Sequence, residues 1–316
     1  MSIFSRFRKK NSPKVQNAPS DLPILKEILA RLDVSPPENP ILKEILMRLG
    51  PSPQKKIGGH AIYLGDHTAL CRTEFGRKIF IDTRDISLAP HLAMDGIWEM
   101  WITEAMARLL KPGMSCVDLG TNFGWYSLLM ADHIGPSGHL IGVDANERMV
   151  DLCRKSMSVN GYLDRSEIRH AAVSDSFGEM TFSMLENYMG SASLKDMGGT
   201  ATQFHDKAYS VTVPAITLDA LTGNRTINFL KIDCEGAEPA IVRGGTETLK
   251  SPDLQIFMEY APGFYAPGEA PEMLSTLVQA GFEFYSIDEQ ARFEKITRES
   301  LLNINGWNEL YLKRPC

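Results

Sequence analysis

The chain has 316 residues, 43% hydrophobic and 23% charged, which suits one large domain with an appendage or two modest domains in water. Its net charge of -6 argues against a nucleic-acid binder, because neutralising phosphates takes a basic face. Five scattered cysteines, none in a CxxC pair, and seven dispersed histidines suit reduced thiols in a cytoplasm rather than disulfides or a metal centre.

Residues 1–20 are basic, lack the apolar core of a signal peptide, and read as a disordered tail. The alternative is a weak membrane-surface contact through Ile3, Phe4 and Phe7 beside Arg6, Arg8, Lys9 and Lys10. Residues 21–58 hold a duplication, in which PILKEILARL (23–32) returns as PILKEILMRL (40–49). Each copy has proline near a helix start and an apolar stripe, Ile24, Leu25, Ile28, Leu29, Leu32 and then Ile41, Leu42, Ile45, Leu46, Leu49. Helices this short need a partner, either each other and the main domain or a docking or self-association surface.

Residues 59–112 form a lead-in of strand-like HAIYLG, ALCRTE and RKIFIDTRD, followed by a helix over 98–110. From 113 to 316 strands and helices alternate. Strands are expected at 114–120, 139–145, 167–174, 228–234 and 254–260, with helices at 123–134, 146–161, 239–250 and 271–281. Such alternation implies an α/β fold with a mostly parallel sheet and helices on both faces. The closing strands FEFYSID and NELYLK suggest an antiparallel partner at one edge.

The first strand-to-helix junction reads DLGTNFGWYS (118–127). A glycine turn there sits where a doubly wound sheet binds its ligand. Gly120 is expected to let backbone approach that ligand, and Gly124 to let the helix start against the strand. Asn122 stands where a pyrophosphate cradle has its middle glycine, so the turn suits a nucleoside without phosphates. Asp144, ending the second strand, is placed to accept ribose hydroxyls, and Asp118 to favour the ammonium of a tail such as that of S-adenosylmethionine.

The second loaded stretch is LKIDCEGAEPAIVRGG (230–245). Asp233 ends a strand, Glu235 and Glu238 follow in the turn, and Glu259 ends the next strand at the same rim. One of these carboxylates can take the proton that an acceptor hydroxyl loses on methylation. Glu238 also reads as a helix-start acid, Glu235 as a turn residue, and the group as an oxygen ligand set for a divalent cation.

These segments resemble the FkbM family of S-adenosylmethionine-dependent methyltransferases, through VDLGTNFGWYSLLMA and KIDCEGAEPAIVRGG, with HAAVSDSFGEMTF, VPAITLDAL and IWEMWITE as linking stretches. The resemblance runs from about Gly65 to the end. It implies a class I methyltransferase (Rossmann-like) fold with a seven-stranded sheet, S-adenosylmethionine as cofactor, and O-methylation of a sugar or secondary-metabolite hydroxyl. It also completes the expected cofactor set with Glu99, Thr121, Ala145, Ala172 and Val173. Thr121, Cys234 and Asp144 depart from its usual alanine, valine and glutamate without removing a functional group. Two other readings stand beside it: an NAD-dependent oxidoreductase, disfavoured by Asn122, and a non-catalytic scaffold recruiting partners through the duplicated helices.

Overall fold

The computed structural model describes residues 61–190, 192–193 and 197–315; the expected tail (1–20) and duplicated helices (21–58) lie outside the described residues. The described chain opens with an antiparallel meander, β1 (Ala61–Gly65), β2 (Thr68–Arg72) and β3 (Lys78–Asp82), then α1 (Ala89–Met94) and α2 (Met100–Ala107). The meander is fastened to the main body through buried Asp82, which pairs with Arg84 and Arg148 at 2.9 Å each.

Next come β4 (Ser115–Leu119), α3 (Trp125–Ile134), β5 (His139–Asp144), α4 (Glu147–Val159) and β6 (Ser166–His170). A second, smaller sheet follows, from β7 (Ala172–Ser174), β8 (Gly178–Leu185), β9 (Ala192–Ser193), α5 (Gly198–Phe204), β10 (Ala208–Thr217) and α6 (Leu218–Thr222). The chain then returns as β11 (Phe229–Ile232), α7 (Glu238–Arg243), β12 (Gln255–Tyr260), α8 (Glu269–Gln279), β13 (Glu283–Ile287), β14 (Phe293–Ile296), α9 (Arg298–Leu301) and β15 (Asn308–Lys313).

The main sheet has the order β14-β13-β15-β12-β11-β4-β5-β6. Strands β6, β5, β4, β11 and β12 are parallel; β15 enters antiparallel between β12 and β13. That reversed final insertion fits the sheet that the resemblance implies. Two apolar cores cover its faces, one built on Trp125, Leu128, Met149 and Phe257, the other on Leu119, Leu218, Ile241 and Met258. Strand order reverses between β4 and β11, which opens a crevice beyond their carboxyl ends.

Four expectations need correction. The single strand over 167–174 is two, broken at Ala171, with β7 leaving the main sheet to pair with β10. The helix over 239–250 stops at Arg243 with Gly244 as its cap, and Thr248–Lys250 forms a separate 3-10 turn; a Cβ on Gly244 would lie 2.1 Å from the Ser174 carbonyl oxygen, so the chain there must stay bare. The two closing strands are three, since β14 adds an eighth strand at the edge beyond the expected seven. β15 lies inside the sheet rather than at its edge. No helix among the described residues is long and apolar enough to cross a membrane.

Candidate active site

The glycine turn is shaped first by the protein's own backbone. Gly120 adopts φ +82°, and a Cβ there would lie 1.9 Å from the Asp233 carbonyl oxygen. It is the end of β11, not a ligand, that demands a glycine at this point. Gly124, at φ +94°, would put a Cβ 2.7 Å from the Cys153 sulfur, so it admits α4 rather than the strand. Between them Asn122 holds φ +48°, its Oδ1 accepting from the Phe123 N–H and its own N–H donating to Asp144 Oδ2 at 2.8 Å. Asp144 Oδ1 accepts from the Asn146 N–H at 2.8 Å. Two backbone donors thus fix the Asp144 carboxylate in the crevice wall, where burial raises its pKa to about 6.

The crevice encloses a cavity of about 260 Å³. Glu99, Gly120, Thr121, Asn122, Asp144, Ala145, Ala172 and Val173 of the expected cofactor set line it, as do Asp233, Glu235 and Glu259 of the expected catalytic set. Three expected residues do not. Asp118 is 1% exposed and accepts a hydrogen bond from Ser127 Oγ, so it lies beneath the turn and meets the cavity only through its neighbours. Gly124 faces α4. Glu238 is fully buried and accepts from the Cys234 and Gly236 N–H groups, which makes it the fastener of the 234–238 turn. Glu238 opens α7, and its carboxylate is turned to the backbone of that turn rather than to the cavity.

Sheet register writes the rest of the site. Lys231 is opposite Asp118 on β4 and Phe257 on β12, and Phe257 is opposite Tyr311 on β15. One pleat closer to the strand ends, Asp233 and Glu259 share the same face, and Glu259 is directly opposite Glu309. Lys231, 1% exposed, is therefore the cation at the centre of an acid cluster. Its Nζ lies 2.7 Å from Asp233 Oδ2 and 4.5 Å from the centre of the Tyr126 ring. Although burial opposes its charge, Asp233, Glu309, Asp118 and Glu99 together keep it firmly protonated. Reading from sequence missed both Lys231 and Glu309. The signal for Lys231 was available: one charged residue inside the apolar strand FLKI, where an unpaired lysine has no business being buried.

Glu99 reaches the cluster from the start of α2. Thr103, on that helix, donates to the Trp98 carbonyl and accepts from Trp125 Nε1 of α3. Beside these ties Glu99 holds φ +37° and accepts a 2.6 Å bond from the Tyr126 hydroxyl. Glu235 likewise holds φ +49°, and burial pushes its carboxyl up to about 8. Three non-glycine residues in left-handed backbone, Glu99, Asn122 and Glu235, thus line one cavity. Each costs about 1–3 kcal/mol, and such strain gathers where function requires a fixed side chain.

The far wall is the loop at Tyr188, Met189 and Gly190. Asp85 holds it to the lead-in by accepting from the Met189, Leu88 and Ala89 N–H groups, and Asp206 accepts from those of Asn187 and Tyr188. The Tyr188 and Phe204 rings stack at 5.3 Å.

The near half of this cavity fits a nucleoside. Asp144 is pinned by one hydrogen bond to each oxygen, which leaves lone pairs to accept from a ribose diol, and Val143, Ala145, Ala172 and Val173 offer an apolar slot beside it.

Comparison with known proteins follows the same line. A family model described as "Methyltransferase FkbM domain" matches residues 118–284. The 2-O-methyltransferase NoeI of Sinorhizobium fredii is 27% identical over 180 residues, covering 53% of this chain and 72% of that protein. The demethylmenaquinone methyltransferase of Symbiobacterium thermophilum is 34% identical over 70 residues, 22% of this chain and 28% of that protein. The match therefore spans little more than a quarter of that relative's length. The crystal structure of methyltransferase FkbM from Methylobacillus flagellatus superposes with a TM-score of 0.41 at 8% identity, covering 66% of this chain and 50% of that one.

Proposed function

Since this chain belongs to the FkbM methyltransferase family, we propose that it methylates a hydroxyl of a sugar or glycan, with Asp233 as the base. The methyl donor is S-adenosylmethionine, which supplies an electrophilic methyl group on a positively charged sulfur. Asp144 is the acceptor for its ribose hydroxyls, and the turn from Gly120 to Asn122 together with Ala145, Ala172 and Val173 forms its remaining wall.

Asp233 carries the reading. Its Oδ2 is held by Lys231 at 2.7 Å, which leaves Oδ1 to receive the acceptor's proton as the new C–O bond forms. Lys231 keeps that carboxylate in place and balances its charge, and Glu235 and Glu259 flank it on the cavity wall. The similarity to NoeI, a 2-O-methyltransferase, supports oxygen as the atom methylated.

The test is transfer of radiolabelled methyl from S-adenosylmethionine to a panel of mono- and oligosaccharides. Label is expected on carbohydrate, and Asp233→Asn is expected to slow transfer by about 10²–10⁴-fold while S-adenosylhomocysteine affinity, measured by calorimetry, stays unchanged. Transfer by D233N at the rate of the unaltered chain would remove Asp233 from the chemistry. Label found only on nucleic acid would remove the carbohydrate.

A further inference from the structure

Strands β12 and β15 run antiparallel, with Glu259 directly opposite Glu309. Opposed residues on such a ladder project to the same face with their Cβ atoms about 4.5–5.5 Å apart, which brings both side chains to one strip of the cavity floor. Glu259 forms part of the wall, and Glu309, 6% exposed, lies behind it. In each residue one carboxyl oxygen, Oε2, is buried and has no hydrogen-bond partner. Two ionised carboxylates in this position would repel each other with little water to screen them. A proton held between them removes the repulsion and gives the orphan oxygens a partner.

We infer that Glu259 and Glu309 form a carboxyl pair that holds protons across the β12–β15 ladder, with Glu309 as the positioning residue that keeps Glu259 a neutral, hydrogen-bond-donating acid at the cavity wall. The groups facing the pair come from every element packed around it, Tyr126 of α3 among them. Asp233 and Lys231 belong to β11 and its end, Glu235 and Glu238 to the turn that follows, Glu99 to the start of α2, and Tyr265 to the segment after β12. Lys231 is the one cation among them, and it is bound to Asp233. Burial first, and then the surrounding acids, push Glu259 up to about 9; burial pushes Glu309 up to about 8 against the pull of Lys231.

With a proton on each residue, Glu309 donates across the ladder to Glu259, and Glu259 directs its own O–H to the cavity. In the methylation proposed above it would hold an oxygen of the acceptor beside the hydroxyl that Asp233 deprotonates. That use rests on the proposed reaction; the proton pair itself does not.

The measurement is a carbon-13 titration of the full chain labelled at its glutamate carboxyls, without cofactor or acceptor. The Glu259 and Glu309 resonances are assigned by their loss in Glu259→Gln and Glu309→Gln. Glu259 is expected to be neutral at about pH 7, some three units above an ordinary glutamate midpoint. In E309Q its midpoint is expected to fall by about one pH unit, a tenfold change in proton affinity. An ionised Glu259 at neutral pH, or a midpoint that E309Q leaves in place, would overturn the pairing. Should E309Q not fold, the unaltered chain still decides. Shared protons make each resonance titrate in two steps, whereas independent carboxyls give one step each. A negative methyl-transfer assay leaves this result standing, and one-step curves leave the methyl-transfer reading untouched.

Discussion

Among single residues, Lys231 explains how so many acids can share one cavity floor. It is the cation behind Asp118, Asp233, Glu99 and Glu309, and it is sealed from water. Removing one member of a buried ionic cluster costs more than the cluster's net stabilisation, because the remaining charges stay buried and unpaired. Lys231→Met is therefore expected to destabilise the fold by about 3–5 kcal/mol near neutral pH, as read from urea unfolding. At about pH 5 the loss should shrink, because Asp118, raised to about 6, is protonated there and no longer needs a counter-ion. A loss independent of pH would show that Lys231 contributes packing rather than charge.

At the level of elements, the turn between β4 and α3 is the least forgiving piece of backbone. A methyl group at Gly120 meets the Asp233 carbonyl, so it pushes apart the cofactor turn and the strand end that carries the base. Gly120→Ala is expected to abolish detectable S-adenosylhomocysteine binding in calorimetry, whereas D233N should bind normally. Equal binding by both would mean that β11 can retreat. This turn was legible in the sequence, because strand, glycine, acid and helix follow one another locally, and the long alternating elements were legible for the same reason. What escaped was set at a distance. Glu309 is 50 residues from Glu259 by number and meets it only through the β12–β15 register. Lys231 gains its role from strands β4 and β15 on separate stretches of chain. α1 and β14 are too short for periodicity to declare, and β14 is defined by its pairing with β13. The sequence marks both glycines but points Gly120 to the ligand and Gly124 to the strand, since it does not reveal that Asp233 and Cys153 already occupy the space beside them.

The whole molecule pays for its cavity in proton affinity. Asp144, Glu238, Glu235 and Glu259 are raised, chiefly by burial, to about 6, 7, 8 and 9. A raised acid binds its proton more tightly in the folded chain. Its stabilisation is complete below the ordinary carboxylate range and is lost as pH climbs through the folded value. The cofactor-free chain should therefore become less stable from about pH 5 to 9, by up to ~1.4 kcal/mol per pH unit for each group titrating. Thermal melting across that range checks it, and a melting temperature that rises with pH would contradict it. Acids such as Asp82, which despite burial is held low by Arg84 and Arg148, act in the opposite sense and only below about pH 4.

Five acids line the cavity and, among the described residues, no lysine, arginine or histidine does; Glu235 and Glu259, raised to about 8 and about 9, carry protons at neutral pH, so Asp144, raised only to about 6, is an ionised part of the wall. Methyl transfer turns a sulfonium into an uncharged thioether, so the same walls that attract the incoming donor have less hold on what is left of it. One net negative charge about 10 Å away at an effective dielectric of ~20 amounts to roughly 1.7 kcal/mol, more than tenfold in affinity. Calorimetry should find S-adenosylmethionine bound more tightly than S-adenosylhomocysteine, with the gap narrowing as salt is added. An acid-walled pocket of this kind makes the exit of the spent donor a consequence of the chemistry itself.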